Sequence, residues 1–345
     1  MRIFYFINLL FLAFACSEDA AIGGKKPTPV SLPVPSNFPQ PVYDLAINPL
    51  TEEGIELGKM LFYDPILSRD NTISCGFCHQ QPNAFTHHGH DVSHGIDDKL
   101  GRRNSLPIQN LIWYNNFFWD GGVHNLDLVP LNAISNPVEM DEDTEILMTK
   151  LQSQPRYRDQ FKLAFGSDEI KSIHFLQALS QFLATMVSSN SPYDKYIRQE
   201  GFQFSPEQED GHKLFKQHCS SCHVSDLFTD QSFRNNGFST TIDLLKDPGR
   251  EEITLNPEDR GKFKVPSLRN IEHTAPYMHN GKLASLEDVL DFYSDAVQVS
   301  ATLDPILNVG QPGIALTSDE KKKIIAFLKT LSDEQFLSDR RFSEY

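Results

Sequence analysis

Two short cysteine–histidine boxes carry the chemistry that this sequence can be read for. Cys75-Gly76-Phe77-Cys78-His79 spaces two thiols by two residues and follows them at once with an imidazole. Thiols at that spacing add across the two vinyl groups of a haem, and the adjoining histidine then lies under the iron as its proximal ligand. A second copy, Cys219-Ser220-Ser221-Cys222-His223, stands well over a hundred residues downstream. The competing reading is a split four-cysteine zinc site. Zinc pairs usually sit about 15–20 residues apart and need no histidine after each pair, so the boxes point to two covalent c-type haems.

The elements around the boxes repeat as well. Glu52 to Tyr63 carries Ile55, Leu57, Leu61 and Phe62 and is predicted as a helix leading into the first box. Gly58-Lys59-Met60-Leu61-Phe62 recurs in outline as Gly211-His212-Lys213-Leu214-Phe215 ahead of the second. Ile170 to Val187 is predicted as a helix capped by Asp168, with Ile173, Leu176, Leu179, Phe182, Leu183 and Met186 on its apolar stripe. Ser285-Leu286-Glu287-Asp288 resembles a capping box opening a helix on which Leu286, Val289, Leu290 and Tyr293 share a face. Ser318 is expected to cap a last helix, with Ile324, Phe327, Leu328 and Leu331 inward. Strand signals are few. The expected fold is mainly α, with two cytochrome c-like haem domains over 45–200 and 201–345 and few short strands.

The chain has 345 residues, a length that favours two domains over one. Four of its five cysteines belong to the boxes, which leaves no disulfide framework. A net charge of −15 argues against nucleic acid; an acidic surface could steer a basic redox partner, and solubility accounts for it equally well. At the N-terminus, Arg2 precedes an apolar run from Ile3 to Ala15 that is too short for a permanent membrane span. Residues 1–15 are therefore expected as a signal peptide. Cys16 directly after Leu12-Ala13-Phe14-Ala15 resembles a lipobox cysteine, and an ordinary cleaved signal with an incidental cysteine is the alternative. Residues 16–44, rich in proline, are expected as a lipidated tether, with the folded part starting near Tyr43. Both readings place the protein outside the cytoplasm, on the periplasmic side of a bacterial envelope. The lipidated one anchors it there, with the outer membrane favoured.

Further motifs lie between and after the boxes: Gly101-Arg102-Arg103-Asn104, Phe118-Trp119-Asp120-Gly121, Pro137-Val138-Glu139-Met140, Phe263 to Asn270 and Thr274 to His279. Together with both boxes, in order and spacing, they make the chain from about residue 45 onward resemble the bacterial dihaem cytochrome c peroxidases, a family that includes the MauG-type enzymes. The resemblance implies that peroxide reacts at the haem on His79 and that the haem on His223 passes electrons. Trp119 matches the tryptophan between the two haems; by its sequence surroundings it would read as a core aromatic. Glu139 matches a distal-pocket glutamate that manages peroxide protons, although its acidic neighbours alone suggest a surface carboxylate.

His94 sits where many of these peroxidases carry a resting second ligand on the first iron, with His87, His88 and His90 as competitors. Tyr293 falls where cytochrome-oxidising members place a methionine and the MauG-type branch a tyrosine. Its alternatives as ligand are Met278 and His279, and a core tyrosine is the plain reading. Asn104, with main-chain oxygens of Thr274 and Pro276, matches the family's calcium site. Gly122, where many relatives have arginine, departs from the pattern. The expected function is a dihaem peroxidase reducing hydrogen peroxide with electrons from a small cytochrome or copper protein. The alternative is a MauG-like enzyme that uses peroxide to oxidise tyrosine or tryptophan of a partner protein, and a non-catalytic dihaem carrier ranks third. A homodimer is compatible with either enzyme.

Overall fold

The computed structural model describes residues 26–344, so the leader and Cys16 lie outside the described residues. The fold is mainly helical, and its one sheet among those residues is a two-residue antiparallel pair, Phe233–Arg234 against Phe263–Lys264. No described helix is long and apolar enough to cross a membrane.

The repeated pentapeptides mark one packing device used twice. Helix Glu52–Tyr63 is capped by Thr51, whose side chain accepts from the Gly54 amide, and buries Leu57, Leu61 and Phe62 against helix Ser172–Thr185. At the crossing, a Cβ on Gly58 would fall 2.0 Å from the Ala178 carbonyl oxygen and 2.8 Å from Phe182 Cβ. In the second half, helix Pro206–His218 crosses helix Ser318–Lys329 in the same way. A Cβ on Gly211 would fall 1.9 Å from the Lys323 oxygen and 3.0 Å from Phe327 Cβ. Each glycine lets two helix backbones touch, and each pair clamps the approach to one haem box.

Two hydrophobic clusters result. The first is built on Leu57, Phe62, Phe85, Trp113, Phe175 and Phe182. The second is built on Tyr193, Phe215, Phe228, Leu290 and Phe327. Phe336, Leu337 and Phe342 return from the far end of the chain into the first cluster. There the Gln81 side-chain amide donates to the carbonyls of Phe336 and Asp339, at 3.1 and 2.8 Å, and the Tyr63 hydroxyl donates to Phe342. Between the clusters runs a fully buried ion pair: the Arg269 guanidinium donates to both carboxylate oxygens of Asp194 at 2.9 and 2.7 Å.

Three local expectations are corrected. The proline-rich stretch is not a tether from Thr28 onward. Thr28 donates twice to the Glu53 carboxylate, Val30 N–H donates to Leu50, and Glu52 N–H donates to Thr28. Phe38 is buried edge-on to Trp113 at 5.2 Å and beneath the Arg269 guanidinium at 4.5 Å. Proline excludes helix but leaves the intervening amides free to pair in extended backbone, and folded structure therefore starts well before Tyr43. Helix Ser172–Thr185 begins after Ile170 with Lys171 as its cap residue and no capping side chain, so Asp168 does not cap it, and Ile173 faces solvent at 52% exposure. The last long helix is capped by Thr317 in a reciprocal box with Glu320, one residue before Ser318. The box of Ser285 with Asp288 forms as expected.

Candidate functional site

Each cysteine–histidine box forms a tight turn that aims its imidazole inward. Cys75–Cys78 is one helical turn, capped by Ser74, and His79 N–H closes on the Cys75 carbonyl at 2.9 Å. Ala84 and Phe85 both adopt left-handed backbone and fold the Phe85 carbonyl back, so that His79 Nδ1–H donates to it at 2.6 Å. In the second box His223 N–H closes on Cys219 at 3.0 Å, and His223 Nδ1–H donates to Phe228 at 3.0 Å. A carbonyl facing Nδ1 settles the tautomer and leaves Nε2 as the nitrogen that can accept a metal. Burial pulls His79 down to about 4 and His223 below the usual histidine range, so both imidazoles are neutral, as ligation requires. All four thiols are free, and burial pushes Cys75 and Cys219 up to about 12.

Each box opens on its own cavity. The first is lined by Cys78, His79, Asn136, Glu139 and Leu183, the second by Cys219, Cys222, His223, Asn236, Met278 and Tyr293. Both thiols, a neutral imidazole and a largely apolar wall meet in the second cavity; the first presents Cys78 and His79, with Cys75 at the other end of the same helical turn, and each box fits a covalently held haem. Trp119 lines both cavities, as do Asn104, Pro107 and Lys264. The indole Nε1–H donates to the Asn104 carbonyl at 2.9 Å, and Lys264 N–H donates to the Trp119 carbonyl at 2.7 Å. The tryptophan is thereby pinned in the wall that the two cavities share.

Glu139 stands in the first cavity with one oxygen accepting from Asn136 Nδ2 at 2.7 Å. Burial pushes its carboxyl up to about 7, against the lowering effect of that amide. A carboxyl poised there both takes and returns a proton near neutral pH. His94 is not brought to this cavity. Its Nε2 pairs with the exposed Asp98 carboxylate at 3.1 Å, its ring belongs to a stack with His90 and His87, and only its carbonyl meets Cys78. His87 and His90 stay in that stack and His88 makes no approach to the cavity lining either.

In the second cavity Tyr293 and Met278 both line the wall, together with the box residues Cys219, Cys222 and His223. Burial pushes the Tyr293 phenol up to about 12. His279 is turned onto Phe263, stacked at 3.8 Å, with its Nε2 3.3 Å from the Ser239 hydroxyl. Asn104, Thr274 and Pro276 line the same cavity, and Asn104 Nδ2 donates to the Asp91 carbonyl at 3.0 Å. Sequence reasoning missed Asn136, Asn236 and Lys264. Asn136 could have been found from its place three residues before Glu139 at a proline turn. Lys264, whose ammonium is buried and drawn down to about 8, carries no local signal of its position.

The family described as di-haem cytochrome c peroxidase matches residues 52–201. The chain is 34% identical over 303 residues to the methylamine utilization protein MauG of Methylorubrum extorquens, across 87% of this chain and 83% of that one. It is 35% identical over 299 residues to cytochrome c551 peroxidase of Nitrosomonas europaea, across 84% and 83%. Among solved structures, a MauG-like protein associated with microbial copper homeostasis superposes with a TM-score of 0.83 at 33% identity, covering 91% of this chain and 99% of that one. Relatedness of this depth over most of each chain places the protein in the di-haem cytochrome c peroxidase family, among whose members are both c551 peroxidases and MauG.

Proposed function

We propose that the protein reduces hydrogen peroxide to water in the cavity of His79 and Glu139, with two electrons arriving from an external donor by way of the second cavity. The observation that carries this reading is Glu139: a carboxyl near neutrality, in the same cavity as the neutral imidazole of His79 and with no ion pair to a cation among the described residues. When bound, the two haems supply the iron at which the O–O bond is cleaved and the path for its reducing electrons. Glu139 takes the proton from the near peroxide oxygen and returns it to the far one, so the leaving oxygen departs as water. Asn136 orients the carboxyl. Trp119, fixed through its indole N–H, holds an aromatic ring between the cavities. The donor is a small cytochrome or copper protein, drawn to an acidic chain.

The tyrosine in the second cavity supports a second reading, in which the electrons come from tyrosine or tryptophan of a partner protein, as in a MauG-like enzyme. Tyr293, as a phenolate held to the second iron, would stabilise its oxidised state. His94, turned toward Asp98, would need to swing inward to act as a resting ligand. Calcium at Asn104 with the Thr274 and Pro276 carbonyls, the lipid on Cys16 and a periplasmic setting complete the proposal.

Holoprotein made in a host competent in cytochrome c maturation tests it. Two covalent haems are expected, with peroxide consumption that follows oxidation of a reduced small cytochrome. Turnover only with a protein substrate, leaving cross-linked or oxidised aromatic residues in it, selects the second reading. Two permanently six-coordinate irons, inert to peroxide in every redox state, would defeat both.

A further inference from the structure

Asn236 was not among the motifs, yet it faces both side chains that could complete the second iron. Its Nδ2 lies 3.2 Å from Tyr293 Oη and 3.6 Å from Met278 Sδ. The orientation of the amide is settled from the other end, because Oδ1 accepts the Phe238 N–H at 3.2 Å. Only hydrogens therefore point at the phenol oxygen and the thioether sulfur. The backbone around the amide is held firmly. Phe233–Arg234 pairs with Phe263–Lys264 just before it, Asn235 is buried and donates to Ser300 and Thr302, and Gly237 N–H returns to Asn235 Oδ1 at 2.8 Å. The two targets are also held. Tyr293 rides a helix whose Leu290 and Phe292 are buried, and Met278 sits in left-handed backbone at a turn closed by Gly281 N–H.

We propose that Asn236 is the positioning residue that selects Tyr293 over Met278 as sixth ligand of the second haem. The inference rests on the reading of Tyr293 as that ligand. One amide hydrogen goes to each competitor, but the two acceptors are unequal. An anionic phenolate oxygen accepts roughly twice as strongly as a neutral group, and a thioether is a weak acceptor. The amide therefore stabilises the phenolate where iron would meet it and holds the sulfur aside in the same stroke. An apolar residue of similar shape removes both effects and frees the thioether to compete.

The test is the ligand signature of the ferric holoprotein, read by near-infrared magnetic circular dichroism and electron paramagnetic resonance, with haem content measured alongside. Wild type is expected to show phenolate and no thioether. N236L is expected to shift the thioether-to-phenolate ratio at the second haem at least ~10-fold, a shift that the loss of a charge-assisted hydrogen bond allows. M278L in the N236L background should then abolish the thioether signal. N236D, read at alkaline pH, keeps the shape and the turn to Phe238 while offering no hydrogen, and should weaken phenolate ligation likewise. A phenolate signature unchanged in either variant that carries two haems overturns the role of Asn236. Y293F separates the two levels: if it leaves the signature unchanged, the reading of Tyr293 fails, whereas a signature altered by Y293F but not by N236L or N236D removes Asn236 alone.

Discussion

The pH dependence of the peroxide step should follow Glu139 and move when Asn136 is changed. With its carboxyl near 7, Glu139 is about one-tenth ionised at pH 6 and about nine-tenths at pH 8, so a step that needs the carboxylate rises roughly tenfold between them. The Asn136 amide donates to that carboxylate and lowers its proton affinity. A hydrogen bond to a charged group contributes about 1.5–3 kcal/mol, and 1.36 kcal/mol is one pH unit, so N136L should move the midpoint up by roughly one to two units. E139Q keeps the size of the side chain but removes the base, and should slow the step by about 10²–10⁴. Stopped-flow mixing with peroxide from pH 5.5 to 9, under pseudo-first-order conditions, reads wild type and both variants on one scale. A flat wild-type profile, or an N136L midpoint that coincides with wild type while both haems are present, would refute the reasoning.

The glycines at the helix crossings give a paired expectation: G58A and G211A should each destabilise by about 1–3 kcal/mol in chemical denaturation, since each Cβ meets backbone less than 2.1 Å away. D194N leaves the Arg269 guanidinium buried without its anion and should cost about 3–5 kcal/mol in the same assay. Arg269, donating to both oxygens, holds Asp194 below its ordinary range despite burial. The stability it contributes is therefore present above the unfolded carboxylate pKa and lost as the pH falls through the folded one, so acid unfolding of D194N should lose part of the wild-type slope below pH ~4. Lys264 lines both cavities with a buried ammonium, so K264M should lower both haem midpoint potentials in a spectroelectrochemical titration; an upward shift in either contradicts the placement of that charge.

What could be read from the sequence was local. The haem boxes compress thiols and imidazole into five residues, so their chemistry is visible without the fold. The feeder helices were visible because Gly58 and Gly211 recur in a shared pattern, and the Ser285–Asp288 box because a cap needs only four residues. The parts that were missed depend on distance in the chain. Asn236 faces Tyr293 across 57 residues and Phe38 meets Arg269 across more than two hundred, and no periodicity reports either. Asp168 as a cap failed for a smaller reason: Lys171 turns the chain into the helix three residues later, after Ile170 has already been buried. His94 was placed by resemblance, and in this structure a neighbouring carboxylate, Asp98, holds its ring.

The return of residues 334–342 onto the first haem unit bears on the order in which that unit can be finished. Gln81 and Tyr63, on either side of the first box, are satisfied by carbonyls of Phe336, Asp339 and Phe342, 255, 258 and 279 residues further along the chain. Without residues 334–342 the donors of Gln81 and Tyr63 have no acceptors there, and the first cluster lacks Phe336, Leu337 and Phe342 on that side. Completion of the first haem unit is thus tied to the folding of the second, whose helix Ser318–Lys329 leads directly into these residues.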